Sequence, residues 1–257
     1  MGATVNKIDA LEELMIGGNI TPTLVYNEGW MLRLVLNWLS ENRHFEHEIS
    51  FSEGARWFSE ASLPTIFKAK NQKDKLAENY THADGVYGSI QPYDGKDYIK
   101  LEKNCNQFVV VEAKMFSSYS PGVIHAPSYN QAARIVACMC EVLKLQGFNV
   151  NGFSKLAFFT FLPESQIKDR PSFLKYTCKK NIKEKVENRI KQYSDAGRTE
   201  EYEEKAKWYE EFCCPFIDNI QIELISWESI LNFVSLHDEE TYKKLMVFYD
   251  KCKKYNR

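Results

Sequence analysis

Phe108-Val109-Val110-Val111-Glu112-Ala113-Lys114 is the stretch whose reading decides the fold. A continuous β-branched run reads as a strand buried near the centre of a sheet. A carboxylate and an ammonium then follow, two positions apart, so they share one face of that strand. Two ionisable groups above an apolar core cost free energy unless they are paired or bind something. Upstream lies His82-Ala83-Asp84-Gly85-Val86-Tyr87-Gly88, a second apolar strand that offers Asp84 as a third member. Two carboxylates and a lysine at the rim of a sheet suit a hard cation and an anionic transition state, as in phosphodiester chemistry.

Composition sets the bounds around this pair of strands. The chain has 257 residues, 44% of them hydrophobic, which is ample for one large core. The formal net charge of −2 gives no global basic field, so any argument for nucleic acid must be local. No window reaches the apolar length of a membrane span, and the first residues lack a signal-peptide core, so no membrane partner is expected. The seven cysteines are scattered and odd in number, which argues against a disulfide framework and for a reducing cytoplasm. The histidines His44, His47, His125 and His237 form no metal-ligand spacing.

Working outward, Thr21-Pro22 opens a helix whose apolar residues recur at helical spacing from Val25 to Leu39. Phe45 to Phe51 reads as a short strand, Gly54 to Ser62 as a second helix, and Thr65 to Ala77 as a further one. Ala83 to Ile90 and Gln107 to Met115 form a hairpin with a long polar tip. Asn130 to Gln146 is a helix stopped at Gly147-Phe148. Ser154 to Leu162 is a third buried strand, and Ile220 to Ile225 the last. The order describes one α/β domain over 1–257, a central mixed sheet flanked by helices, with a helical insertion over 166–212. Within that insertion, Lys168 to Lys191 holds nine Lys or Arg against three acids. This stretch is either a solvated helix face or an arm that contacts phosphates.

Glu28 in the first helix, Asp84 on a strand, and Glu112-Ala113-Lys114 on the next together resemble the PD-(D/E)XK nuclease superfamily, the restriction-endonuclease-like fold. Asn130-Gln131-Ala132-Ala133-Arg134 is similar to that superfamily's glutamine-bearing helix, and Glu223 to Glu228 to a strand-to-helix junction in some members. The resemblance spans roughly Thr21 to Leu162 plus the last strand. Ala83 stands where many members have proline.

The resemblance implies a Mg²⁺-dependent nuclease, with Mn²⁺ as a substitute, acting on DNA more than RNA. Asp84, Glu112 and the Ala113 carbonyl would ligate the metal, and Lys114 would activate water and stabilise charge on the phosphate. Glu28 is either a further site residue or an early-helix carboxylate favoured by the helix dipole. Gln131 would position a water or phosphate, and Arg134 would contact the nucleic-acid backbone or stand exposed. Lys179, Lys180 and Lys183 are the arm's candidate phosphate contacts. The alternatives are a non-catalytic nucleic-acid-binding or scaffold module on the same fold, and an RNA-directed nuclease. A homodimer is left open.

Overall fold

The computed structural model describes residues 3–18, 20–69, 74–78, 80–122 and 126–256. Its centre is a five-stranded mixed sheet in which spatial order follows chain order. The strands are β1 (Arg56–Leu63), β2 (Thr81–Gly88), β3 (Gln107–Ala113), β4 (Lys155–Leu162) and β5 (Gln221–Ser226). β1, β2 and β3 run antiparallel in turn, while β3, β4 and β5 are parallel. The valine run is the middle strand, and every residue of β3 is buried. A parallel pair needs a crossover. Between β3 and β4 that crossover is α4 (Gln131–Gln146), which ends at left-handed Gly147 as expected.

Helices cover both faces. α1 (Ala3–Ile16), α3 (Glu28–Glu41), α10 (Trp227–His237) and α11 (Glu239–Tyr255) pack on the face of Val109, Val111, Phe159 and Phe161. On the face of Phe108, Val110 and Phe158 lies α4, together with the helices between β4 and β5. These are α5 (Glu164–Asp169), α6 (Pro171–Thr177), α7 (Lys179–Asp195), α8 (Thr199–Trp208) and α9 (Cys214–Asn219). Ile182, Val186, Ile190, Tyr193 and Trp208 from this insertion are fully part of that core. It therefore lies down on the sheet instead of standing away as an arm. Full burial of each such side chain contributes about 1.5–3 kcal/mol. Among the described residues no helix is long and apolar enough to cross a membrane. All seven cysteines are free.

Several sequence expectations are corrected. The first strong helix is two: the four-residue α2 (Pro22–Val25), then α3, whose N-cap Asn27 accepts from the Trp30 amide at 3.0 Å. The helix α1 precedes both. The segment 45–51 forms turns and not a strand, and the described part of 65–77 contains no helix; 70–73 lie outside the described residues. Gly54 to Ser62 is not helical but supplies β1. The cause is visible in its packing. Phe58, Ala61 and Leu63 all face the α4 side, so the apolar spacing is three and then two. A strand whose alternation slips once imitates a helix in sequence.

Two glycines in β2 are required by close approach. A Cβ on Gly88, where φ is +141°, would lie 1.9 Å from the Gln107 carbonyl oxygen. At Gly85 it would meet methyl groups of Leu32 and Leu36, each at 3.0 Å, because α3 crosses there. Gly88→Ala is expected to lower stability by about 3 kcal/mol or more. Gly85→Ala should cost less, about 1–3 kcal/mol, because leucine methyls can yield. Urea unfolding midpoints of the two variants check the order.

Candidate functional site

The β2–β3 ladder stops at Gly85↔Val111, one position before Asp84 would face Glu112. Beyond that point the strands part. The buried Ala113 amide still needs an acceptor. It finds one in Asp84, whose Oδ2 accepts from it at 2.8 Å. On the other side of β2, Glu60 is the residue of β1 opposite Asp84, between the pairs Ser59↔Gly85 and Ala61↔Ala83. Glu60 has φ +52°, the sole non-glycine residue with positive φ among the described residues. Such a conformation costs roughly 1–2 kcal/mol. Arg33 of α3 holds the kink by donating to Ser59 Oγ at 3.0 Å and to Glu60 Oε1 at 3.3 Å. The slip in alternation falls at this kink. Ala83 and Val86 face the same core although they are three apart. Asp84 is left out of the ladder and free to turn its carboxylate towards β3.

Glu112 is the last but one residue of β3 and only 1% exposed. Its Oε1 accepts from Lys114 Nζ at 2.6 Å and from Gln131 Nε2 at 2.5 Å. Its Oε2 is buried and has no partner. Burial and the neighbouring Asp84 charge push the Glu112 pKa up to about 8, and the Lys114 ammonium only partly opposes them. Gln131 reaches Glu112 because it is the first residue of α4, placed there by the Asn130 cap, whose side chain accepts from the Ala133 amide at 3.0 Å. The Gln131 amide also donates to the Ser120 carbonyl at 3.0 Å, fastening the loop that follows Lys114.

Other side chains shape this corner: Tyr119 and Thr160 had no role assigned from sequence, Trp227 entered only within the strand-to-helix junction, and Arg170 only within the basic stretch. Thr160 of β4 pairs with Glu112 across the ladder, and its hydroxyl is hydrogen-bonded to the buried Tyr119 hydroxyl. The Lys114 ammonium lies 6.0 Å from the centre of the Tyr119 ring. Trp227 Nε1 donates to the Lys114 carbonyl at 2.9 Å. Arg170 Nη1 donates to the Phe116 carbonyl at 2.8 Å. Apart from the approach of Lys114 to Tyr119, which is local, these contacts join residues 41 to 113 apart in sequence.

Asp84, Glu112, Ala113, Lys114 and Gln131 are thus brought together. The remaining candidates have other neighbours. Glu28 occupies the first turn of α3, close enough to Cys252 of α11 for its charge to raise that thiol's pKa. No hydrogen bond or ion pair joins it to Asp84 or Glu112 among the described residues. Arg134 lies near Glu78 and Cys138, where its charge opposes the upward shift of both, and its Nε is buried without a partner. Lys179 Nζ donates to the Asp218 carbonyl at 2.8 Å, and Lys183 pairs with the Asp218 carboxylate at 2.7 Å. Both therefore join α7 to α9. Lys180 is exposed. His125 lies outside the described residues. A cavity of about 710 Å³, lined by Gln91, Leu101, Gln146 and Phe153 among others, opens at the other end of β3, away from the carboxylates.

Chemically, the corner has two adjacent carboxylates, one of them unwilling to ionise, and an oxygen with no donor. An oxygen-seeking cation fits that deficit: it would favour the ionised form of Glu112 and occupy the orphan Oε2. Among the described residues no group of three or more His, Cys, Asp or Glu side chains is placed to hold a metal. Such an ion would be held by two carboxylates and otherwise by water, the habit of Mg²⁺ rather than of zinc.

The Glu112 shift has a consequence for stability. Its folded pKa lies above the unfolded value, so the folded state binds the extra proton. The resulting stabilisation is full below about pH 4.5 and is lost as pH rises through about 8. Without divalent cations, the wild type should lose more stability between pH 5 and 8.5 than Glu112→Gln. Glu48, Glu78 and Glu141 are shifted upward by burial too, but are common to both proteins. Urea midpoints at the two pH values read the difference, and parallel curves would refute the shift.

Comparison with protein-family models, with curated proteins and with solved structures finds no match to this chain.

Proposed function

We propose that this chain is a Mg²⁺-dependent nuclease that hydrolyses phosphodiester bonds, in DNA rather than RNA, as its resemblance to the PD-(D/E)XK superfamily implies. The observation that supports it most is the meeting of Asp84, Glu112 and Lys114 where β2 leaves β3, with Glu112 Oε2 buried and unpartnered. A strand-end carboxylate pair beside a lysine, at the rim of a sheet, suits metal-assisted attack of water on phosphorus.

In this reading Mg²⁺, when bound, supplies a water of lowered pKa and polarises a phosphoryl oxygen. Asp84 and Glu112 are the groups that would hold it, and the resemblance adds the Ala113 carbonyl. The Ala113 amide fixes the Asp84 carboxylate, and Gln131 fixes that of Glu112. Lys114 is 11% exposed at its side chain, so its ammonium is dry enough to act strongly on a phosphate oxyanion. Tyr119 walls one side of that ammonium, and Trp227 holds its backbone. Each reacting group is thus positioned by a second residue on a different element, which is what precise placement requires.

Titration calorimetry should detect Mn²⁺ binding that Asp84→Ala and Glu112→Ala each weaken at least about tenfold. Equal affinity in all three proteins would overturn the proposed metal site. Incubated with plasmid DNA and with RNA in Mg²⁺, Mn²⁺ or EDTA, the wild type should cut DNA only with metal. Lys114→Ala should keep DNA binding and lose about 10²-fold or more in cleavage rate. Cleavage of RNA alone would reassign the substrate. Cleavage of neither, with nucleic acid still bound, would make the chain a binding module.

A further inference from the structure

A nuclease must hold more of its substrate than the one phosphate it attacks, and the overall charge of −2 supplies no general attraction. Lys179 and Lys183 are engaged with Asp218, so a further phosphate contact falls to a cation beside Lys114. Arg170 is such a cation. It sits at the break between α5 and α6, and its Nη1 donates to the Phe116 carbonyl at 2.8 Å and to Ser118 Oγ at 2.9 Å. Those residues belong to the segment that leaves Lys114, so the guanidinium is fixed to the rim of the site. Both bonds use Nη1. Nε and Nη2 make no hydrogen bond with the described residues, and no described carboxylate pairs with the group. Within the same insertion Lys168 is paired with Glu164, Arg189 with Glu78, and Arg198 with Asp74 and Glu201.

We infer that Arg170 binds a backbone phosphate next to the one presented to Lys114. The inference rests on the nuclease reading and adds a substrate contact to it. Holding the loop needs a single donor, which a neutral side chain could supply. Arg170 instead keeps a full positive charge and a planar edge of free N–H groups, the geometry that takes a phosphate through paired hydrogen bonds. Being pinned at one nitrogen, it gives up little further rotamer freedom on binding.

The test is fluorescence anisotropy of a duplex DNA, measured without divalent cation over a series of KCl concentrations. Arg170→Ala should weaken binding and reduce the magnitude of the log K against log salt slope by about 0.9, the loss of one phosphate contact. Mn²⁺ affinity should stay at the wild-type value. Arg170→Gln, which can still donate to the Phe116 carbonyl, should show the same loss and covers the case in which the alanine variant misfolds. An unaltered slope in folded Arg170→Gln would overturn the inference and leave the nuclease reading standing. A wild type that binds neither duplex DNA nor RNA would overturn the nuclease reading itself.

Discussion

Where β2 turns away from β3, the Ala113 amide loses its ladder partner while remaining buried, and the Asp84 carboxylate takes its place. The candidate site depends on this one hydrogen bond. It converts a gap between strands into a fixed carboxylate, and it sets that carboxylate beside Glu112. Neither consequence would follow if the ladder ran on, since both side chains would then stand on the sheet face at ordinary cross-strand spacing. The parting of the strands has its own source one strand further out. Glu60 is held in a left-handed conformation opposite Asp84, and Arg33 secures the kink from above. Strain at the edge of the sheet is thereby exchanged for placement of a group at its centre.

The electrostatics follow from the same geometry. A carboxylate at the buried end of a central strand would ionise readily if Lys114 were its only neighbour. Asp84 and the loss of solvent tip the balance the other way. The two effects together leave Glu112 short of positive charge, and one of its oxygens short of a donor. Gln131, being neutral, can orient the carboxylate without correcting that shortage. The corner thus holds one largely buried ammonium, a carboxyl that resists ionisation and an oxygen without a hydrogen-bond donor.

Around this corner the helical layers act as supports. α4 must begin at Gln131, and its asparagine cap fixes that start. The insertion between β4 and β5 packs α7 and α8 onto α4, so the helix carrying Gln131 is backed by a continuous core. Arg170 reaches from this layer to the segment after Lys114, and Trp227 reaches from the opposite one. The residues that surround Lys114 therefore come from both faces of the sheet.

Local signals in the chain were enough to place the middle of the sheet. The Val109–Val111 run, the hairpin before it, the strands at Ala157 and Ile222, and the helix that stops at Gly147 are all local signals, and each is where it was expected. Asp84, Glu112 and Lys114 could be singled out because polar groups at the ends of apolar strands are conspicuous, whereas Gln131 was marked only by the family resemblance. What only the tertiary structure decided is where such signals end. β1 was concealed because its alternation slips at Glu60, a backbone conformation that no residue type announces. The approach of Glu28 to Cys252 and of Arg134 to Glu78, and the closing of Lys179 and Lys183 onto Asp218, depend on how segments distant in sequence come to lie together. Tyr119, Thr160, Trp227 and Arg170 gain their importance from contacts with residues far along the chain. Local composition encodes elements and their caps; it holds no record of which strand parts from which, and at that parting the site is made.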